Sequence, residues 1–170
     1  PEALDHPKYR EMLQARRQWE LSLDWLPILK ARCVERGIRF GCTPFYVEAV
    51  EELLPFVDFY KVASYSLLHT KLLKAIVKTK KPVVLSTGMA TIREIRQAID
   101  LFGWAGCEKM TILNCVSVYP TPLSQVNSSK LSELGFTGQL PLGWSFGWSD
   151  HTVNPDVIYS FTLSGFNQAS

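Results

Sequence analysis

Three side chains of different chemistry, Ser149, Asp150 and His151, follow one another at the end of an apolar run in "GWSDHT" (147–152). A serine, an aspartate and a histidine suggest a hydrolytic triad, a metal corner or the polar lip of a strand. Consecutive strand residues alternate faces, which argues against the triad. The other two readings stay open on these residues alone. Lys61 is the second unusual residue, because it interrupts the apolar run "DFYKVAS" (58–64). A lysine there either snorkels at the sheet edge or faces an anion. Hydroxyl residues on the adjoining runs favour the anion. In "STGMAT" (86–91) a glycine follows two hydroxyl residues just before a helix start, where backbone N–H groups can meet a phosphate. In "YPTP" (119–122) two prolines hold Tyr119 at a defined place, or simply order a loop.

These residues need elements to position them. Candidate strands are 38–43, 58–64, 82–87, 110–117 and 145–150, several of them apolar on consecutive positions, as in parallel strands covered on both faces. Between them run helical patterns. In "TIREIRQAIDLFG", Ile92, Ile95, Ile99 and Phe102 form an apolar face, Thr91 and Glu94 make a capping box, and Gly103 is the expected stop. In "LLHTKLLKAIVKTKKP", Leu68, Leu72 and Ile76 form the stripe, with His69 inside the helical pattern. The opening stretch to Gly37 also reads as helix, kinked at Pro27, and "NPDVIYSFTLSGF" supplies a last one. The longest irregular connection falls between Leu123 and Trp144.

Each strand ends in polar residues: Thr43; Lys61 and Ser64; Ser86 and Thr87; Ser117 and Tyr119; then Ser149, Asp150 and His151. Strand–helix alternation with polar carboxyl ends is the pattern of a (β/α) barrel, whose ligand site is built on that rim. A complete barrel takes roughly 250 residues. With 170 residues and five candidate strands, the chain reads as one domain over 1–170, either a small open sheet or part of a barrel.

Composition narrows the class. The chain is 46% apolar and 20% charged, which gives it the means to bury a sizeable core. Its net charge of +2 excludes the basic stripe of a nucleic-acid or membrane-surface binder, while small anions need only a few local cations. No run approaches the ~20 apolar residues of a membrane helix, and "PEALDHPKYREM" lacks a signal-peptide core. Cys33, Cys42, Cys107 and Cys115 show no metal-type spacing, which fits reduced thiols in the cytoplasm. The absence of an initiator methionine suggests that the sequence begins inside a longer protein.

Taken together, "FYKVAS", "KPVVLSTGMAT", "CVSVYPTP" and "GWSDHT", with "CTPF" (42–45) before them, resemble the sialic acid synthase family. That family includes the legionaminic and pseudaminic acid synthases and the spore-coat polysaccharide synthase-like proteins. The resemblance runs from about Gly37 to Val153, in the right order. It implies a (β/α)8 TIM barrel of which this chain carries strands three to seven, without the family's antifreeze-like domain. It also implies condensation of phosphoenolpyruvate with an N-acyl aminosugar such as N-acetylmannosamine, with Mn2+ or Mg2+. By matching motif, Thr43, Lys61, Ser64, Ser86, Ser117, Tyr119 and Ser149 would line the phosphoenolpyruvate pocket, and His151 would be a metal ligand. Lys61 and Tyr119 would serve the chemistry, with Asp150 holding the rim through hydrogen bonds. The chain departs from the family in reading "ASYS" (63–66) for Gly-Ser-Gly-Glu and Ser117 where many members have Asn.

In the implied reaction the metal polarises the aminosugar aldehyde, C3 of phosphoenolpyruvate attacks it, water adds at C2 and phosphate leaves. Lys61 and the hydroxyls position the anion. Two rivals use the same residues: a Schiff-base aldolase with Lys61 as nucleophile, and a non-catalytic remnant that binds an anion or a partner. Open strand edges imply a homo-oligomer or a need for the remaining strands, so the 170 residues by themselves are expected to be inactive.

Overall fold

Every strand pairs in parallel with the next one along the chain, and that single rule sets the architecture. The structure, a computed structural model, describes residues 11, 21–126, 140–163 and 168–169, with side-chain surroundings for those up to 160. Helix α1 (Trp25–Glu35) leads into β1 (Gly41–Cys42), α2 (Val47–Leu53) and β2 (Phe59–Val62). Helix α3 (Thr70–Lys78), β3 (Val83–Ser86), α4 (Ile92–Trp104) and β4 (Met110–Asn114) follow. The chain then forms β5 (Trp144–Trp148), α5 (Asp156–Leu163) and β6 (Gln168–Ala169). The sheet order is β1-β2-β3-β4-β5-β6, so the strands never reverse direction of winding. A doubly wound sheet would reverse at a switch point; steady progression is the winding of a (β/α) barrel, here not closed among the described residues.

The two faces of the sheet differ in chemistry. Tyr60, Val62, Val83, Leu85, Met110 and Ile112 are buried in one core with Leu72 and Ile76 of α3 and Ile95 and Phe102 of α4. The alternate residues Lys61, Val84, Thr111 and Ser145 pair in one row on the opposite face and are only half-buried. The Thr111 and Ser145 hydroxyls lie 3.0 Å apart in that row. Strand pleating therefore separates a helix-packed apolar face from a more polar inner one.

Local signals explain most element ends. The capping box of α4 is formed: Thr91 Oγ1 accepts the Glu94 N–H at 3.3 Å, and Glu94 Oε2 accepts the Thr91 N–H at 2.7 Å. The stop differs from expectation, because Gly103 stays helical. Gly106, at φ +72°, turns the chain while its N–H bonds the Gly103 carbonyl and the Cys107 N–H bonds that of Phe102. Pro27 does not kink a helix either. It lies in the first turn of α1, where its missing N–H has no intrahelical partner to lose, and Gly37 ends that helix at φ +65° as expected. His69 caps α3 rather than lying inside it, with Nδ1 accepting the Leu72 N–H at 3.1 Å, and Leu68 is exposed. The sixth strand, β6, was not among the candidate strands; it pairs Gln168 with Gly147 and Ala169 with Trp148. The expected long connection runs through a short turn at Leu123–Gln125 and then through residues 127–139, which lie outside the described residues.

One ion pair fastens α1 to the sheet. Lys30 Nζ is 2.6 Å from both oxygens of Asp58, whose Oδ2 also accepts the Phe40 N–H at 2.8 Å. The Lys30 ammonium and then the Phe40 N–H hold the Asp58 carboxyl below its ordinary value. A depressed carboxylate pKa contributes stability above the unfolded value of about 3.9 and loses it as pH falls through the folded one. Asp58→Asn should therefore lower the urea midpoint at neutral pH, and the gap to wild type should close in acid. A gap independent of pH would contradict the pairing.

Candidate functional site at the carboxyl ends of the strands

The polar residues that follow β2, β3, β4 and β5 meet at one rim. Ser64, just past β2, accepts the Gly88 N–H on its Oγ at 3.0 Å. Its Oγ is also 3.4 Å from the sulfur of Cys115 past β4. Since the oxygen accepts from Gly88, its own hydrogen is free to point at that sulfur. Gly88 is required by space: a Cβ there would overlap Ser117 Oγ and stand 2.9 Å from Cys115 Sγ. Ser64, Gly88, Cys115 and Ser117 thus form one knot across three strand ends.

A second knot surrounds His151. Its Nδ1 lies 2.6 Å from the Val116 carbonyl, and its Nε2 lies 3.4 Å from Ser149 Oγ. A carbonyl only accepts, so Nδ1 carries hydrogen; in the neutral ring Nε2 then holds a lone pair. The Tyr119 ring packs on the imidazole, centroids 4.1 Å apart and planes tilted by 31°, while Tyr119 itself is 72% exposed. The Tyr119–Pro120 peptide is cis. Val116 stands between Cys115 and Ser117, so the two knots are continuous along the chain.

The remaining expected residues surround these knots. Lys61 is half-buried on the inner face, and neither ion pair of the described residues, Lys30–Asp58 or Arg32–Glu35, involves it. Ser86 is buried two residues along β3 from Val84, the register partner of Lys61, so it shares that face. Thr43 follows β1, where its N–H approaches the Cys42 thiol. Burial pushes that thiol up and the Thr43 N–H partly offsets the rise, which disfavours a thiolate nucleophile. Asp150 is committed to its own turn. Its Oδ1 accepts the Thr152 N–H at 3.1 Å and the Trp148 indole N–H at 3.4 Å, and Oδ2 accepts the Thr152 hydroxyl at 3.0 Å. That carboxylate shapes the loop on which His151 is mounted.

Reading the sequence missed Cys115 as a member of the site, because a cysteine in an apolar run looks like a small hydrophobe. Thr121 entered only as the residue between the two prolines of "YPTP" (119–122). Its only signal was its position in "YPTP". The metal expectation meets a single nitrogen donor. Among the described residues no three His, Cys, Asp or Glu side chains gather to hold a metal ion. His151 Nε2 offers one nitrogen donor, whereas a divalent site normally takes several protein ligands. These residues do not complete one.

Consecutive parallel strands, helices packed on one face and polar groups gathered where the strands end define a protein of the (β/α)-barrel fold class, with its strands not closed among the described residues. The chain belongs to the NeuB family, which matches it over residues 2–165. It is 35% identical to the pseudaminic acid synthase of Helicobacter pylori over 124 residues, covering 72% of this chain and 35% of that protein. It is 32% identical to the N,N'-diacetyllegionaminic acid synthase of Campylobacter jejuni, covering 82% of this chain and 42% of that one. The chain thus spans less than half the length of these relatives. The solved N-acetylneuraminic acid (sialic acid) synthetase of Leptospira borgpetersenii, in complex with citrate, superposes with a TM-score of 0.85. It is 27% identical, and the match covers 99% of this chain and 57% of that one.

The tight contact at Gly88 yields a direct test. Gly88→Ala must displace Ser117 and Cys115 and disturb the bond to Ser64, a cost of about 1–3 kcal/mol for overpacking. Urea titration should show it as a lowered midpoint with an unchanged slope, and an unaltered midpoint would contradict the packing described.

Proposed function

We propose that this rim is the anion-binding part of a synthase that condenses phosphoenolpyruvate with an N-acyl aminosugar such as N-acetylmannosamine and releases phosphate. The observation that supports it best is that Ser64, Ser117 and Ser149 follow the carboxyl ends of a sheet whose inner face carries Lys61, a cation with no carboxylate partner among the described residues. The family and relatives that are pseudaminic and N,N'-diacetyllegionaminic acid synthases support a sugar-acid synthase; phosphoenolpyruvate and the aminosugar belong to the proposal.

The reaction needs little covalent work from these side chains. C3 of phosphoenolpyruvate forms a bond to the aldehyde carbon of the open-chain sugar, whose oxygen takes a proton. Positive charge left at C2 is met by water, the bond from C2 to the phosphate oxygen breaks, and a 2-keto acid and inorganic phosphate result. Lys61 and the hydroxyls hold phosphate and carboxylate in place, so their contribution is positioning and charge compensation. The Tyr119 phenol, whose ring packs on His151, is proposed to touch the sugar. Mn2+ or Mg2+ belongs to the proposal with His151 Nε2 as one ligand. The cytoplasm, where phosphoenolpyruvate is made, is the proposed location, and no helix among the described residues is long and apolar enough to cross a membrane. A homo-oligomer is proposed on the ground that, among the described residues, the outer edges of β1 and β6 have no strand partner.

Three measurements test this reading. Lys61→Ala should weaken phosphoenolpyruvate binding by about 1.5–3 kcal/mol, the range of a charge-assisted hydrogen bond, with the fold intact. Equal affinities in a calorimetric titration would remove Lys61 from the site. Borohydride with pyruvate should leave Lys61 unmodified; a trapped adduct would point to a Schiff-base aldolase instead. In the full-length protein, His151→Ala should abolish metal-dependent phosphate release from phosphoenolpyruvate plus N-acetylmannosamine, whereas the 170 residues alone should show no turnover. Full activity of the His151→Ala protein would exclude His151 from the chemistry.

A further inference from the structure

Thr121 has no place in the reaction above, yet it is among the few buried polar residues, at 4% exposure. Its N–H donates to the His151 carbonyl at 2.7 Å. Its hydroxyl donates to the Val118 carbonyl at 2.7 Å and stands 3.4 Å from the Val116 carbonyl. Val116 O is the atom that takes the His151 Nδ1–H at 2.6 Å. A hydroxyl has one hydrogen, and the shorter bond to Val118 claims it. The Val116 carbonyl is thereby left to the imidazole.

The residues from Val116 to Thr121 form a turn closed from within by the Thr121 hydroxyl. The turn grips His151 at two points, its ring through Val116 and its main chain through Thr121. We propose that Thr121 is a positioning residue for His151: by fixing the Val116 carbonyl against the ring it selects the Nδ1–H tautomer and keeps the Nε2 lone pair directed at Ser149. A histidine that binds a metal or exchanges a proton commonly has its tautomer set by the partner of its other nitrogen. The use made of that lone pair rests on the function proposed above; the tautomer itself does not.

A purely structural staple would lower stability without changing the ring, so the readout is the ring. In the full-length protein labelled with 15N-histidine, long-range proton–nitrogen spectra report the tautomer of each imidazole, assigned by single His→Gln replacements. Above neutrality wild type and Thr121→Ser should show His151 purely as Nδ1–H. Thr121→Val, nearly the same shape without the hydroxyl, should lose that single pattern and gain the Nε2–H signals that free imidazole favours. Wild type in the Nε2–H form overturns the proposal without any variant, and so does a Thr121→Val protein that keeps the pure Nδ1–H pattern. Should Thr121→Val not fold, Thr121→Ala is read against Thr121→Ser by the same criterion. None of these outcomes depends on synthase activity, so a failure of the assigned reaction and a failure of this inference are told apart.

Discussion

The constraint on which the rest depends is that each strand lies parallel to the one before it. Parallel neighbours cannot be joined by a tight turn, so each connection must cross the sheet, and the α2, α3 and α4 crossovers do so as helices. All strands then end on the same side. The residues after β2, β3, β4 and β5 are brought together although Ser64 and Ser149 are far apart in sequence. No individual polar contact creates the rim; the shared polarity of the strands does.

The same arrangement keeps stability and chemistry on different atoms. Apolar burial is concentrated where the outer face of the sheet meets α3 and α4, and full burial of an aliphatic or aromatic side chain contributes about 1.5–3 kcal/mol. The inner row of Lys61, Val84, Thr111 and Ser145 contributes little to that core. Thr111 and Ser145 there cost less because they stay half-exposed and hydrogen-bonded to each other rather than sealed in. Tyr60 shows the opposite case on the packed face. Its buried hydroxyl needs the Val50 carbonyl at 2.6 Å, and burial first, with a smaller effect of Cys42, pushes it up to about 12.

What could be read from the sequence follows this division. Strand positions and the helix of α4 were legible because apolar periodicity and the Thr91–Glu94 cap are local. Boundaries depended on more distant partners. Gly103 looked like a stop, yet Gly106 takes that role because its N–H and that of Cys107 find the carbonyls of the last turn. β6 was invisible, being a two-residue strand defined by its register with β5 rather than by its own pattern. On the rim and inner face, residue types drew attention to Lys61, Ser64 and His151. Gly88 showed only as a glycine before a helix, and Cys115 and Thr121 gave no sign. Their parts rest on contacts with Ser64, Ser117 and His151 that a one-dimensional reading does not contain.

The trio Ser149, Asp150 and His151 shows how adjacent residues come to do separate work. Asp150 turns away from its neighbours and spends both oxygens on Thr152 and Trp148, which fixes the direction in which the chain leaves β5. That direction puts the His151 ring between the Tyr119 ring and the Val116 carbonyl, with Ser149 on its remaining nitrogen. Had the carboxylate taken the Nδ1–H, as in a hydrolytic triad, a proton moving onto the ring would have been met by a full negative charge. A neutral carbonyl holds the ring in the same orientation without setting that charge beside it, and the Nε2 lone pair is left facing Ser149. The partner of Nδ1 thus separates this corner from a hydrolase with the same three residue types.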